Sequence, residues 1–358
     1  MKRTALIMAG GKGERFWPKS RVNLPKQFLS LTDDGKTMIQ LTVERISPLV
    51  DIKDVYIATN ANYRELVKAQ LPGLPEENIL CEPIGRNTAP CIGLGAVSVA
   101  KNSGDEDATM IVLPSDHLIK FNDIFVDTLK SACEIAEAAD NLVTIGIKPN
   151  YAETGYGYIK YDSAKVNGKG YEVEKFVEKP DLETAKSYLA DGTYLWNSGM
   201  FVWKVSTILA NFESFMKSTY DGLLKIKDSI GTDSYETVLN AEFPNLESQS
   251  VDYGIMEKAS NIFILPGEFG WDDVGSWLAV GRIKKNDDKG NVINGNVVAV
   301  NTENCVIEAG EKLIATVGLR DMVVVDTKDA TLITTKENAG EIKKVLASLR
   351  EQGKNQYL

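Results

Sequence analysis

The sequence has little histidine, little cysteine and no long apolar run, and each shortage excludes a class of protein. Its single histidine and four cysteines show no metal-ligand spacing, and the cysteines lie in apolar surroundings typical of buried thiols in a reducing compartment. No Ser–His or Cys–His arrangement supports a nucleophilic side chain. No apolar stretch reaches ~18 residues and the N-terminus lacks the apolar stretch of a signal peptide, so we expect a cytoplasmic protein without a membrane partner.

The sequence also lacks a Lys/Arg-rich block, and its net charge is -10, which argues against a nucleic-acid partner. With 43% hydrophobic and 25% charged residues, the composition is typical of soluble globular proteins, and 358 residues allow one large domain or two. An acidic protein that binds an anionic substrate must gather its cations locally, and the first loop of this chain does so.

The first 150 residues alternate between strand and helix patterns. Strands are predicted at Ala5–Ala9, Val55–Thr59, Ile79–Glu82, Met110–Pro114 and Leu142–Ile147, and helices near Met38–Ile46, Tyr63–Gln70, Ala89–Lys101 and Phe125–Ala139. Apolar strands separated by helices indicate an α/β protein with a Rossmann-like, mixed, mainly parallel sheet covered by helices. The helix from Ala89 is small or apolar nearly all round, so we expect it deep in the core, packed closely through Gly93 and Gly95.

The remaining residues are less regular. Strands are predicted at Tyr158–Tyr161, Val173–Val177 and Met200–Trp203, and helices near Leu182–Ala190 and Ser206–Phe215. Residues 284–291 are a polar linker, and the closely spaced strand patterns beyond it predict a small β-rich C-terminal domain over 292–358 that closes with an amphipathic helix near Glu337–Glu351. No clean hexapeptide repeat is present, so a full-length β-helix is not supported, while a partial one remains open.

The first strand pattern ends in a glycine-rich loop that delivers cations. Gly10, Gly11 and Gly13 let backbone N–H groups approach an anion, and Arg15 and Lys26 would neutralise its charge. A Walker A loop needs Ser or Thr after its lysine, and a dinucleotide fingerprint needs a third glycine where this chain has Phe. The Gly-Gly-x-Gly-x-Arg pattern, followed by Pro-Lys-Gln at 25–27, instead resembles the signature of sugar-nucleotide pyrophosphorylases.

A second loop, Glu-Pro-Ile-Gly-Arg-Asn-Thr-Ala-Pro at 82–90, follows the third strand. Thr88 can cap the next helix and the Asn87 amide suits a base edge, although a simple capped loop explains these residues equally well. The string is similar to the base-recognition loop of mannose-1-phosphate guanylyltransferases, and further motifs of that family recur across nearly the whole chain. The resemblance implies a nucleotide site made of Gly10, Gly11, Gly13, Arg15, Glu82, Asn87, Thr88 and Ser115.

Two acidic positions are candidates for binding Mg²⁺. Asp116 follows a central strand in Leu-Pro-Ser-Asp-His, where a carboxylate suits Mg²⁺ beside a triphosphate, although an Asp that caps a turn is the simpler interpretation. The string Trp-Asp-Asp-Val-Gly at 271–275 offers Asp272 and Asp273, between which residue chemistry does not choose. The family resemblance implies Asp273 as the metal ligand and Asp272 as a supporting residue.

Three strings, at 154–158, 176–180 and 196–200, are similar to the sugar-phosphate pocket of the same family. In that resemblance Gly157 leaves room for the sugar ring, Glu178 and Asn197 bind hydroxyl groups, and Lys179 binds the phosphate. Asp252 is expected to support the sugar side. Without the resemblance, Glu178 and Lys179 equally describe a solvated ion pair.

The resemblance implies a nucleotidyltransferase domain over 1–283, with a nucleotide-binding half over 1–150 and a sugar-binding half over 151–283. It implies transfer of GMP from GTP to α-D-mannose 1-phosphate by Mg²⁺-assisted in-line attack, with Arg15, Lys26 and Lys179 as catalytic cations. We expect Lys26 and Lys179 in polar loops rather than in the core. Two alternatives stay open, a pyrophosphorylase for another hexose 1-phosphate or nucleotide and a catalytically silent sugar-nucleotide sensor. The sequence does not determine the oligomeric state, and a homodimer is compatible with it.

Overall fold

A computed structural model describes residues 1–105 and 107–358, which divide into two compact units. The first unit comprises Met1–Gly10, Val43–Ser115 and Ile119–Trp271. The second comprises Gly11–Thr42, Asp116–Leu118 and Asp272–Leu358, so residues from both ends of the chain contribute to it.

The elements before residue 273 alternate between strands and helices along the chain. The strands are β1 (Arg3–Met8), β2 (Val55–Asn60), β3 (Ile79–Glu82), β4 (Thr109–Pro114), β5 (Leu118–Ile119), β6 (Leu142–Ile147), β7 (Tyr158–Asn167), β8 (Gly170–Val177), β9 (Tyr194–Lys204), β10 (Ile262–Gly267) and β11 (Trp271–Asp272). The helices are α1 (Met38–Ile46), α2 (Arg64–Gln70), α3 (Thr88–Ser103), α4 (Asn122–Ala138), α5 (Leu182–Asp191), α6 (Val205–Phe215), α7 (Lys217–Ser229) and α8 (Tyr235–Glu242).

Nine of the described strands form one sheet in the first unit, in the order β3-β2-β1-β4-β9-β6-β10-β8-β7. Strand β1 runs parallel to β2 and β4, and β6 runs parallel to β10, while β9 lies antiparallel between β4 and β6. The carboxyl ends of β1 to β4 therefore share one edge, which is where open α/β sheets bind their ligands. The predicted mixed, mainly parallel sheet covered by helices is confirmed.

Helix α3 lies in the core of the first unit and is buried from Ala89 to Ala100. A Cβ atom built on Gly93 would lie 2.4 Å from Leu223 Cδ1, and one on Gly95 would lie 2.4 Å from Leu6 Cδ2. Glycine at these positions lets the Leu223 side chain of α7 and the Leu6 side chain of β1 pack directly on the α3 backbone. This confirms the packing expected from the sequence.

Three parts of the first unit differ from expectation, and the first is strand β10, which the sequence pattern did not predict although it lies between β6 and β8. The hairpin β7–β8 extends to Asn167 and Gly170, beyond the predicted strands, because exposed polar residues near its tip hide the alternating pattern. Helices α7 and α8 were not indicated by the sequence pattern. Helix α7 buries Leu223 and Ile226 on a narrow stripe among many charged residues, so its periodicity is weak.

The second unit contains the remaining elements. They are α9 (Trp277–Ile283), β12 (Val292–Asn294), β13 (Val297–Val300), β14 (Val306–Glu308), β15 (Ile314–Val317), β16 (Met322–Asp326), β17 (Thr331–Thr335) and α10 (Ile342–Glu351). Strands β12, β14 and β16 form a parallel ladder, and β13 pairs in parallel with β15. Successive turns of chain thus stack on one another as in a short β-helix, and β17 closes the ladder in antiparallel orientation. The predicted small β-rich C-terminal segment is confirmed.

The core of the second unit joins its separate chain segments. Phe16 and Trp17 pack in one hydrophobic cluster with Trp277, Val306 and Ile342. The stretch that the sequence marks as a polar linker is part of this unit, because the Lys284 side chain is 8% exposed and bonded to Glu308. Among the described residues, no helix combines the length and apolar character needed to cross a bilayer.

Candidate functional site

A cleft of about 350 Å³ lies in the second unit at the glycine-rich loop. Its lining mixes cations and carboxylates, and consists of Lys12, Gly13, Glu14, Arg15, Phe16, Lys26, Asp116, His117, Asp273, Gly275 and Lys343. Five residues that the sequence proposed for the nucleotide, for catalysis or for the metal therefore meet in one cleft, namely Gly13, Arg15, Lys26, Asp116 and Asp273.

Lys26 is the buried cation of this cleft, with a side chain only 6% exposed. Its Nζ donates hydrogen bonds to Asp116 Oδ2 at 2.8 Å and to the backbone carbonyl of Asp273 at 2.7 Å. Burial opposes ionisation of Asp116, but the Lys26 ammonium group outweighs it and lowers the pKa of this carboxyl below its ordinary value. The expectation that Lys26 lies in a polar loop outside the core is therefore wrong.

The glycine-rich loop and the Pro-Lys-Gln turn pack directly on each other. Gly13 has φ +59°, and a Cβ atom there would lie 2.5 Å from both Lys26 Cβ and the Lys26 backbone nitrogen. A side chain at this position would be strained and would displace Lys26. The Gln27 side-chain amide donates to the Gly11 carbonyl at 3.0 Å, so both motifs shape one wall of the cleft.

Asp272 and Asp273 occupy different settings. The Asp272 carboxylate accepts hydrogen bonds from Arg282 at 3.0 and 3.1 Å and from the Val274 backbone N–H at 2.8 Å. Asp273 lines the cleft. Across the described residues no group of three or more His, Cys, Asp or Glu side chains could hold a metal ion by itself. A cation in this cleft would therefore need ligands beyond Asp116 and Asp273.

In the first unit, Glu82 ends β3 as a buried carboxyl, 6% exposed. Among the described residues, Glu82 Oε1 has no hydrogen-bond partner. Burial raises the pKa of Glu82 to about 7, and its hydrogen bond with the Cys91 thiol offsets this only in part. Gly10 lies beside it, since a Cβ atom there would lie 3.4 Å from Glu82 Oε2.

The residues that begin α3 differ from expectation. Asn87, at φ 68°, is the N-cap, and its Oδ1 accepts a hydrogen bond from the Thr88 backbone N–H at 2.9 Å. The prediction that Thr88 caps the helix is wrong, because Thr88 is its first residue and its hydroxyl accepts from the Val251 N–H at 2.9 Å. Ser115 is buried after β4, and its N–H donates to the Met8 carbonyl at 3.1 Å.

All five residues proposed for the sugar side meet in the first unit. The Asn197 amide donates to Asp252 Oδ1 at 2.8 Å, and Lys179 Nζ lies 2.7 Å from Glu178 Oε1. A Cβ atom at Gly157 would lie 2.5 Å from Glu178 Oε2, so only glycine leaves this carboxylate its position. The ion pair raises the pKa of Lys179, while burial and then the Glu178 charge raise the pKa of Asp252 to about 6.

Sequence reasoning missed a charged residue of the cleft that lies far from the glycine-rich loop along the chain. Lys343 belongs to α10, more than 300 residues after the glycine-rich loop, and lines the same cleft as Lys12 and Arg15. No local motif marks it, since an exposed lysine on an amphipathic helix is an ordinary surface residue. Only its position in the folded second unit distinguishes it from its neighbour Lys344.

Two family models match the chain. The model described as Nucleotidyl transferase matches residues 4–290, and the one described as MannoseP isomerase/GMP-like beta-helix domain matches residues 295–349. The mannose-1-phosphate guanylyltransferase of Escherichia coli (strain K12) is 39% identical over 358 residues, which cover 98% of this chain and 74% of that protein. ManC of Salmonella typhimurium, also named mannose-1-phosphate guanylyltransferase, is 38% identical over 366 residues, covering 100% of this chain and 76% of its own length.

Solved structures of proteins with related descriptions are also similar to this chain. A Thermus thermophilus structure described as mannose-1-phosphate geranyltransferase matches with a TM-score of 0.88 and 35% identity, covering 98% of this chain and 100% of its own. A Helicobacter pylori structure described as mannose-6-phosphate isomerase matches with a TM-score of 0.62 and 25% identity, covering 76% of this chain and 100% of its own. Because the first model matches most of its length and its relatives align over nearly all of it, the chain belongs to the nucleotidyl transferase family, and it ends in a segment that matches the MannoseP isomerase/GMP-like beta-helix domain.

Proposed function

We propose that this chain transfers GMP from GTP to α-D-mannose 1-phosphate, giving GDP-mannose and pyrophosphate. The observation that carries the proposal is the cleft in which Arg15 and Lys26 lie with Asp116 and Asp273 beside the glycine-rich loop. Such a set of cations and carboxylates suits a nucleoside triphosphate, and relatives about 38% identical are named for this reaction. The choice of GTP and mannose 1-phosphate rests on those relatives and on the loop at 82–90.

The reaction needs no nucleophilic side chain. A phosphate oxygen of mannose 1-phosphate, already anionic at neutral pH, attacks the α-phosphorus of GTP, and the bond from that phosphorus to the bridging oxygen of pyrophosphate breaks. Both reactants are anions, so the protein contributes by positioning them and neutralising their charge. We assign this role to Arg15 and Lys26 for GTP and to Lys179 for the sugar phosphate.

The acidic side chains of the cleft are suitable ligands for Mg²⁺. Asp116 and Asp273 offer hard oxygen ligands in one cleft, and Mg²⁺ is commonly held by one or two carboxylates together with substrate phosphates and water. The lack of a third acidic ligand among the described residues agrees with a site that the nucleotide completes. When bound, the ion would act as a Lewis acid that draws charge from the reacting phosphates. We propose Asp116 and Asp273 as its protein ligands and Asp272 as the residue that orients the loop.

We assign recognition of the base and sugar to the first unit. Buried Glu82, with an oxygen that accepts no hydrogen bond from the described residues, suits an N–H donor of guanine, together with Asn87. Glu178 and Asn197 suit the hydroxyl groups of mannose, with Asp252 holding the Asn197 amide. A cytoplasmic location completes the proposal, together with a boundary near residues 284–291 between the two family domains, which differs from the boundary between the compact units.

The test is pyrophosphate release from a matrix of nucleoside triphosphates and hexose 1-phosphates with Mg²⁺. GTP with mannose 1-phosphate should give the highest kcat/KM, since a site built to hydrogen-bond one base leaves buried polar groups unpaired with another. A higher kcat/KM for UTP or dTTP with glucose 1-phosphate would overturn the assignment of substrates.

A matched set of variants tests the site itself. Asp116→Asn and Asp273→Asn should each reduce turnover by orders of magnitude, and the double variant should be little worse than either, because the two act as one unit. Asp272→Asn is the comparison variant, and it should reduce turnover less than either, because the Asp272 carboxylate is held by Arg282 and only supports the loop. No turnover by the unchanged chain with any pair, combined with tight GDP-mannose binding, would favour the sensor.

A further inference from the structure

We propose that Lys343 binds the phosphate groups that leave as pyrophosphate. Lys343 lies on α10, beyond the residues matched by the nucleotidyl transferase family model, yet it lines the same cleft as Arg15. The inference rests on the proposed function, because the ligand it names is the β,γ-diphosphate part of GTP. If Lys343 has this role, the β-helix segment contributes a substrate-binding residue to the cleft.

The packing of α10 places this lysine. Ile342 and Leu346, four residues apart on one helix face, are buried in the core that also contains Phe16. The Arg350 guanidinium donates to Glu14 Oε1 at 2.7 Å, which ties the far end of the same helix to the glycine-rich loop. With α10 anchored at both places, Lys343 projects beside the buried stripe at the cleft.

The charges of the cleft indicate an anionic ligand. Lys26 is paired with Asp116, and Glu14 is paired with Arg350. Within residues 1–105 and 107–358, none of Lys12, Arg15 and Lys343 forms an ion pair with an acidic side chain. These three cations outnumber Asp273, the carboxylate of the lining that also forms no ion pair among the described residues. Such an excess of positive charge suits a polyphosphate, because each cation can donate charge-assisted hydrogen bonds to phosphate oxygens.

Within the triphosphate of GTP, we expect Lys343 to bind the β- and γ-phosphates. Asp116 and Asp273 are the proposed metal ligands. Without a metal ion their carboxylates would repel phosphate oxygens, so we place the reacting α-phosphate near them together with the ion. The uncompensated cations Lys12 and Arg15 belong to the glycine-rich loop, against which α10 packs. A flexible lysine on that helix can reach phosphates held by the loop, and it can follow pyrophosphate as it leaves.

Measuring the reaction in both directions distinguishes a role in binding pyrophosphate from a general loss of affinity for all substrates. Lys343→Ala should raise the KM for GTP in the forward reaction and the KM for pyrophosphate in the reverse reaction by about tenfold, as expected for one charge-assisted hydrogen bond. The KM values for mannose 1-phosphate and GDP-mannose should stay unchanged, because neither carries the leaving diphosphate. Lys343→Arg should retain most of the affinity.

Lys344→Ala is the matched control, since Lys344 is the adjacent lysine of α10, pairs with Glu341 and is not part of the cleft lining. If Lys343→Ala behaves like this control, or raises the KM for GDP-mannose as much as that for pyrophosphate, the proposal is overturned. Calorimetric titration with magnesium pyrophosphate gives a readout that does not depend on turnover. If the unchanged chain fails to make GDP-mannose, weaker pyrophosphate binding by Lys343→Ala alone would still support the site, and equal binding by both variants would refute it.

Discussion

Lys26 and Lys179 are two proposed phosphate-binding lysines in opposite settings. The Lys26 side chain is 6% exposed and lies between Asp116 and the Asp273 carbonyl, whereas the Lys179 side chain is 61% exposed and pairs with Glu178. Removing the Lys26 charge leaves two hydrogen-bond acceptors unsatisfied inside the cleft. Removing the Lys179 charge affects a position that is already open to water.

The two lysines should therefore differ in their effect on folding. Lys26→Met, which keeps the apolar stem, should lower the free energy of unfolding by about 1–3 kcal/mol, the usual effect of removing one partner of a buried polar group. Lys179→Met should lower it by about 0.5 kcal/mol or less. Both should reduce turnover, and Lys179→Met should mainly raise the KM for mannose 1-phosphate. Urea unfolding of both variants measures the contrast, and equal losses of stability would contradict it.

Glu82 predicts a pH dependence of stability. Its folded pKa of about 7 lies above the ordinary value, so between about pH 4.5 and about pH 7 the folded chain holds a proton that the unfolded chain has lost. Stability must fall as pH rises through this window, at up to about 1.4 kcal/mol per pH unit, and become flat above it.

Glu82→Gln has no ionisable group at this position, so its stability relative to the unchanged chain should rise between about pH 4.5 and about pH 7 and stay level above that. Urea unfolding across that range is the measurement. Glu77→Gln, at an exposed glutamate nearby, is the control and should follow the unchanged chain. Parallel curves for Glu82→Gln and the unchanged chain would show that the Glu82 carboxyl ionises normally.

At the scale of elements, β14 carries a buried carboxylate that joins three segments of the second unit. Glu308, 1% exposed, accepts hydrogen bonds from Lys19 at 2.5 Å, Lys284 at 2.8 Å and Asn294 at 2.8 Å. Burial by itself would raise the pKa of Glu308, but the nearby ammonium groups lower it below the ordinary value. This cluster connects the segment after the glycine-rich loop with α9 and β12.

Glu308→Gln should destabilise the second unit by about 3–5 kcal/mol at neutral pH, because it leaves the buried Lys284 ammonium group with only the exposed Asp33 carboxylate, 3.9 Å away, as a counter-charge. Because the folded pKa of Glu308 is depressed, its stabilisation is present above the ordinary glutamate value and is lost as pH falls through the folded one. The difference between the variant and the unchanged chain should therefore shrink as the pH falls below the ordinary glutamate pKa. Thermal unfolding across pH measures it, with exposed Glu311→Gln as control, and a difference independent of pH would count against an ionic role.

At the scale of the whole molecule, the boundary between the family models is not the boundary between compact units. The first family model ends at residue 290, while the second unit combines residues 11–42 with residues 272–358. Phe16 and Trp17 of the first segment share a core with Val306, Ile342 and Leu346 of the last. The glycine-rich loop thus depends on the β-helix segment for part of its hydrophobic contacts.

A chain that ends at residue 290 should consequently lose the cleft, although it contains almost every motif of the family. It would expose the apolar surfaces of Phe16, Trp17 and Trp277, and it would remove Lys343 and the Glu308 cluster. We expect this shortened chain to aggregate or to bind GTP much more weakly than the full chain, measured by calorimetry. Unchanged GTP affinity and cooperative unfolding of the shortened chain would contradict this dependence.

Much of the first unit and several site residues follow from the sequence. The apolar strands, the glycine-rich loop and the helix that packs through Gly93 and Gly95 are local patterns, because periodicity and glycine act over a few residues. The motifs at 154–158, 176–180 and 196–200 also predicted a group of sugar-side residues that does meet in the first unit. Helices α7 and α8 were not predicted, because their buried stripes are narrow and their surfaces are rich in charged residues.

The sequence by itself therefore determined the alternation of strands and helices over the first 150 residues and the residue types available for phosphate chemistry. Only the tertiary structure decided that Lys26 is buried against Asp116, that Asp273 faces the cleft while Asp272 pairs with Arg282, and that Lys343 reaches the same cleft. Several contacts of the cleft join distant residues, such as Lys26 with Asp116, 90 positions apart, and Arg350 with Glu14, 336 positions apart. They depend on which apolar faces pack together in the second unit, and packing between distant segments leaves no periodic or spaced signal along the chain.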